Sequence, residues 1–144
     1  EGILLNAGGD ELTLCGFDLE LGMTTRIPAS VEELGEQVFR GAKLKKIVIS
    51  NGVNTIPEAA FKECTELQVL VLGKEISALF DYCLDGCNLQ ELYLMATYPP
   101  VCYPYTFTGA GDIFNECALY VPSGRKPIYR QATGWNNFPR IHEQ

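Results

Sequence analysis

VNTIPEAAFKECTELQVLVLG, residues Val53–Gly73, is the stretch on which the fold turns, because the segments on either side repeat its apolar spacing. Before it stands VEELGEQVFRGAKLKKIVIS from Val31, and after it EISALFDYCLDGCNLQELYLM from Glu75. Each copy ends in the same short pattern: Leu44, Ile47, Ile49, then Leu67, Leu70, Leu72, then Leu89, Leu92, Leu94. Alternation at the last two positions marks a short strand with one buried face. Ahead of each strand lies a second apolar set: Val31, Leu34, Phe39, then Val53, Ile56, Phe61, then Ile76, Leu79, Leu84. A period of 22 or 23 residues predicts a solenoid, in which each turn buries its apolar side against the next.

Weaker copies lie outward from this centre. Leu12 and Phe17 match Leu34 and Phe39, and Thr25 and Ile27 match Ile47 and Ile49, so residues 1–30 are expected to be degenerate N-terminal turns. Residues 31–96 are then the regular repeats, 97–121 an extended last repeat, and 122–144 a C-terminal cap, all in one domain. The proline- and tyrosine-rich segment Thr97–Tyr105 predicts an irregular excursion, since proline cannot donate to a ladder. Leu119 and Val121 are expected to be the last inward strand positions, with Tyr120 facing out. Pro127 should open a short helix reaching about Ala132, with Gly134 ending it. Trp135, Phe138 and Ile141 recur at three-residue spacing as an apolar lid.

A chain of 144 residues with 47% hydrophobic content can bury one continuous core. Its net charge of −7 argues against nucleic acid, which calls for a basic patch. The longest apolar run, Val69–Leu72, is far too short to span a bilayer. The chain opens at Glu1 without a Met, and a processed or trimmed product is expected, with any export signal out of view.

The six cysteines suggest a disulfide framework or a metal site until the repeat is considered. Cys64, Cys87 and Cys117 fall at one repeat position, shared with Ala42, which predicts small, buried packing residues. Cys15, Cys83 and Cys102 have no assigned partner, and a disulfide among them stays open. No spacing matches zinc, and there is no P-loop, H-E-x-x-H or G-x-S-x-G motif. His142, the one histidine, is expected to be a solvated terminal side chain. The carboxylates Glu32, Glu33, Glu36, Glu58, Glu63, Glu66, Asp81 and Asp85 sit between apolar positions, as a solvated convex face would place them. No catalytic residue, metal or cofactor is expected.

The residues then carry a resemblance. IPEAAFKECTELQVLVLG (Ile56–Gly73) resembles the BspA-like class of bacterial leucine-rich repeats. LYVPSG (Leu119–Gly124) followed by Tyr129, Ala132, Gly134-Trp135, Phe138 and Ile141 is similar to the terminal segment of many such proteins from gut and oral Bacteroidetes. The resemblance covers roughly residues 20–144. It implies an α/β repeat protein: a right-handed leucine-rich repeat solenoid with a narrow parallel β-sheet on one face. Short 3-10 or helical turns would lie opposite, with a short C-terminal helix cap. It also implies export or cell-surface display and, for several members, adhesion to host proteins. The position often held by Asn in better-known leucine-rich repeats is here Gly52, Glu75 and Thr97, so no asparagine ladder is expected.

What remains for function is the outward strand face. One predicted row reads Arg26, Val48, Val71, Tyr93, Tyr120, a second Thr24, Lys46, Val69, Glu91, and a third Ser50, Gly73, Met95. An apolar centre (Val48, Val69, Val71, Tyr93, Met95) flanked by Arg26, Lys46 and Glu91 has the profile of a protein-interaction site. Valine also suits strands regardless of function, and a missing domain or the Tyr98–Phe107 excursion could cover the patch. The expected function is a non-catalytic, extracellular or cell-surface binding module. Its partner-binding residues are Arg26, Lys46, Val48, Val69, Val71, Glu91, Tyr93 and Tyr120, and its partner is a host or cell-surface protein or glycan. The alternative is a structural spacer or terminal module of a larger surface protein.

Overall fold

The apolar alternation in Lys46–Ile49, Val69–Leu72 and Glu91–Leu94 sends every second side chain inward, and the rest of the fold follows from stacking those strands. The computed structural model describes the backbone of residues 2–8, 11–17 and 23–28, and residues 34–49 and 51–144 in full. In chain order the strands are β1 (Gly2–Gly8), β2 (Glu11–Phe17), β3 (Met23–Pro28), β4 (Lys46–Ile49), β5 (Thr55–Ile56), β6 (Val69–Leu72), β7 (Ala78–Leu79), β8 (Glu91–Leu94), β9 (Val101–Cys102), β10 (Ala118–Val121) and β11 (Ile141–Glu143). Two single-turn helices, α1 (Ile113–Glu116) and α2 (Lys126–Tyr129), lie near the C-terminal end.

The principal sheet is five-stranded, with order β11-β10-β8-β6-β4 and parallel pairing throughout. Ile47, Leu70, Leu92, Leu119 and Ile141 form one inward row across it, all at most 2% exposed. Ile49, Leu72 and Leu94 form a second. Burying each such side chain contributes about 1.5–3 kcal/mol. A one-residue slip would exchange them for Lys46, Glu91 and their neighbours, so the pattern fixes the register. Phe39 and Phe61 stack at 5.4 Å behind this layer, with Leu44, Leu67, Leu89 and Leu84 filling the remaining core.

β5, β7 and β9 make a second, three-stranded parallel sheet on another side of the coil. Here the structure corrects the expected irregular excursion. Val101 and Cys102 pair with Ala78 and Leu79, and Tyr103 and Tyr105 stack on Phe80 and Tyr82. The prolines Pro99, Pro100 and Pro104 flank the two-residue strand and do not enter it, so its ladder loses no donor. Residues 98–110 are therefore the outer half of another regular coil, and the insertion falls after it, where α1 lies.

That shift also corrects the cysteine column. Ala42, Cys64, Cys87 and Ala110 each donate a backbone N–H to the carbonyl three residues back, from Phe39, Phe61, Leu84 and Phe107. Ala110 holds the position expected for Cys117, which instead ends α1, buried, just before β10. The Cys64 and Cys87 thiols reach the Phe39 and Phe61 carbonyls at 2.9 and 3.1 Å. Thr106 stands where the previous coil has Cys83, and its hydroxyl donates to the Leu79 carbonyl at 2.8 Å.

Where degenerate turns were expected, residues 2–8, 11–17 and 23–28 form an antiparallel sheet, β1-β2-β3, in which Gly8 pairs with Glu11. A Gly-Asp pair between two strand-prone runs favours this local hairpin over a distant parallel register. At the other end, β11 adds a strand beyond the expected last one. Ile141 is thus an inward strand residue, while Trp135 and Phe138 are buried as the lid expectation has it. The expected helix over Pro127–Ala132 is the shorter α2, and Gly134 follows with φ +86°.

One glycine column repeats with the coils. Gly41, Gly86 and Gly109 have positive φ, and Glu63 holds the same place at φ +62°. At Gly109 (φ +76°) an added methyl would overlap the Asp85 carboxylate, which pairs with Lys62 at 2.9 Å. Gly109→Ala is expected to lower stability by about 1–3 kcal/mol. Part should return in an Asp85→Ala background, which removes the overlap but not the backbone strain. Equal losses in both backgrounds, measured by chemical denaturation, would show that the overlap contributes nothing.

Candidate functional site: the outward face of the parallel sheet

Strand alternation that buries leucine on one side must present the intervening residues on the other. Register places Val48, Val71, Tyr93, Tyr120 and His142 in one outward row. Lys46, Val69, Glu91 and Ala118 form the parallel row. Val48, Val69, Val71, Glu91, Tyr93 and Tyr120 are half-buried, and Lys46 is exposed. Met95 is 45% exposed at the end of its strand, whereas Gly73 beside it is buried and Ser50 lies outside the described residues.

Arg26 does not join this face. It lies opposite Thr13 in the antiparallel sheet, because β3 pairs with β2 rather than with β4. The Tyr98–Phe107 segment belongs to the coil of the second sheet, paired through β9 with β7, and is not laid over the strand face.

The C-terminal half of the face is aromatic. Tyr93 stacks on Tyr120 at 4.4 Å between ring centroids and 8° between planes, and Tyr120 stacks on His142 at 5.2 Å. This ladder follows from parallel, in-register strands about 4.8 Å apart, which is close to the stacking distance of flat rings. The Tyr93 hydroxyl donates to Glu91 at 2.9 Å, and that acceptor raises the phenol above its ordinary value. His142, expected as a solvated terminal side chain, is the last rung. Only strand β11 reveals that, and its apolar signal is the single residue Ile141.

Many described carboxylates are spent on structure. Glu63 pairs with Arg40 at 3.1 Å, Glu75 accepts from the Gly52 N–H at 2.8 Å, and Asp81 accepts from the Tyr105 N–H at 2.8 Å. Arg40 holds the Glu63 carboxyl below its ordinary value through that hydrogen bond. Among the described residues no three His, Cys, Asp or Glu side chains converge as a metal cage, and no helix is long and apolar enough to cross a membrane.

A second aromatic surface is spelled out by the repeat spacing. The triplets Phe80-Asp81-Tyr82 and Tyr103-Pro104-Tyr105 stand one repeat apart, and their rings stack pairwise at 4.6 and 5.6 Å. Tyr98, Val101, Tyr103 and Tyr105 are among the most exposed large apolar side chains of the described residues.

Comparison with known proteins agrees with this coil architecture. Residues 22–110 match six copies of the BspA type leucine rich repeat region. The match ends at Ala110, where the last regular coil ends and the insertion begins. A curated protein described as beta sliding clamp homolog GriR, from Streptomyces muensis, is 44% identical over 46 residues, 32% of this chain. The matched segment is 12% of that protein's length, so the likeness reaches no further than a pair of coils. Repeats of this family are in general non-catalytic binding repeats. With six copies covering more than half of its length and stacked parallel strands at their spacing, the chain belongs to the BspA-type leucine-rich repeat family.

Proposed function

We propose that the chain is a non-catalytic binding module, exported and displayed outside the cell, that holds a partner protein against the outward face of its parallel sheet. The observation that carries this reading is the row Val48, Val71, Tyr93, Tyr120: apolar, half-exposed, and in register across four strands. Side chains fixed on a sheet lose little conformational freedom on binding, and tyrosine supplies large contact area with a polar tip. Lys46 at one end and Glu91 near the centre supply orientation rather than bulk affinity. A glycan partner would use the same tyrosine faces. Family membership supports protein interaction in general, and adhesion to a host surface is the form proposed here.

The test is direct binding to purified extracellular-matrix and cell-surface proteins. Val71→Ala with Tyr93→Ala is expected to weaken binding at least about tenfold, as central hot-spot residues do. Their side chains are only half-buried, so the thermal midpoint should fall by no more than about 4 °C. Binding that ignores both changes places the contact elsewhere.

A further inference from the structure

The second aromatic ladder stops one rung short. Phe80 covers one face of the Tyr103 ring at 4.6 Å and 15°, and the following coil supplies no ring above the other face. Tyr103 also lines a groove of about 560 Å³ between its coil and the C-terminal cap. Its lining includes Tyr103, Phe107 and Phe114 together with Thr108, Thr133 and Asn137. Gly134 forms part of the wall, and it approaches so closely that an added methyl would come within 2.9 Å of the Cys102 Cβ. Phe107 packs edge-on against Phe114, Trp135 and Phe138, which fixes its ring in the lining.

We propose that this groove is a binding site for a neutral sugar unit, whose pyranose ring stacks on Tyr103 as the missing rung. Three features select that chemistry. The volume lies within the range of small-molecule sites and accommodates one or two sugar rings. The C–H groups on a pyranose face carry partial positive charge and suit the negative face of an aromatic ring. Thr108, Thr133 and Asn137 are solvent-exposed members of the lining, and their two hydroxyls and one amide offer both donors and acceptors to a polyol. The lining contains no charged residue, in a chain of net charge −7, so an acidic sugar gains nothing there. A proline-rich peptide also offers a flat ring, but its proline residues supply carbonyl acceptors and no N–H, whereas sugar hydroxyls both donate and accept toward Thr108, Thr133 and Asn137.

The probes are maltose, cellobiose, lactose and N,N′-diacetylchitobiose, with glucuronic acid and a proline-rich peptide as rivals. Calorimetry and the fluorescence of Trp135 read the result, since that ring lies 5.4 Å from Phe107 and is the only tryptophan in the chain. At least one neutral disaccharide should bind saturably, with a dissociation constant of about 0.1–1 mM. Tyr103→Ala should weaken it at least about tenfold, and Tyr103→Phe, which keeps the ring face, should restore it. Asn137→Ala, an exposed change, carries the test should Tyr103→Ala fail to fold. Val71→Ala on the strand face should leave sugar binding unchanged, so this site and the protein-binding face stand or fall separately. No saturable binding of any neutral sugar up to about 20 mM overturns the proposal. So does binding only of the acid or the peptide, or sugar binding indifferent to both Tyr103→Ala and Asn137→Ala.

Discussion

Taking the protein from pH 8 to pH 10 is expected to remove roughly 4 kcal/mol of stability, shared among the buried thiols of Cys83 and Cys117 and the half-buried thiol of Cys102. Burial pushes Cys102 and Cys117 from the ordinary 9.0 up to about 12, and pushes Cys83 higher still. Between those values the unfolded chain has lost each thiol proton while the folded chain keeps it. The unfolded state then binds fewer protons, so stability is intact below pH 9 and falls as pH rises toward the folded values. Cys64 and Cys87 meet in the coil column and titrate as a pair. Their shared hydrogen bond lowers Cys64 and raises Cys87, and burial opposes charging either, so the pair is left out of the sum. The buried Tyr129 phenol is raised by desolvation too and adds to the decline at higher pH. Urea midpoints across pH 7–10 read the effect. Cys83→Ala, Cys102→Ala and Cys117→Ala combined should flatten the curve even while lowering its neutral plateau. An unchanged slope in that variant would trace the alkaline loss to other groups.

The same cysteines show what could be read from the sequence. Cys64 and Cys87 share a column with Ala42, and that sharing alone revealed them as packing residues. Cys117 was misplaced because the Phe-x-x-Cys spacing before it imitates the column. The real column runs through Ala110, and the register is restored only by the pairing of Ala118 with Glu91. Strands with two inward leucines were legible, since burial decides their alternation. Two-residue strands such as Val101–Cys102 were not, because two residues carry no period. The outward placement of Val48, Val69, Val71, Tyr93 and Tyr120 needed only that alternation. Arg26 failed because a local hairpin signal competes with a weak repeat, and local pairing closes the shorter loop. His142 could be placed only once the cap was known to return a strand to the sheet.

That cap is also where a single side chain should matter most. Trp135→Ala is expected to cost about 3–5 kcal/mol, the range for deleting a fully buried large aromatic. Trp135 is 0% exposed and packs against Phe107, Tyr129 and Phe138. Its indole N–H donates to the Pro100 carbonyl at 2.7 Å, and the neighbouring Tyr129 hydroxyl donates to the Ala96 carbonyl at 2.8 Å. These two bonds tie the cap to the segment that precedes β9, a stretch whose prolines cannot offer donors of their own. A solenoid must close its last apolar layer, and here the closure is Trp135 and Phe138 on one side and Ile141 in β11 on the other. Trp135→Phe separates the two contributions. It keeps most of the apolar packing and leaves the Pro100 carbonyl unpaired, at a cost of about 1–3 kcal/mol. Thermal and denaturant unfolding should therefore rank wild type above Trp135→Phe and Trp135→Phe above Trp135→Ala. A Trp135→Ala loss under about 1 kcal/mol would mean that the coils hold together without their cap, since a fully buried ring cannot otherwise be removed so cheaply.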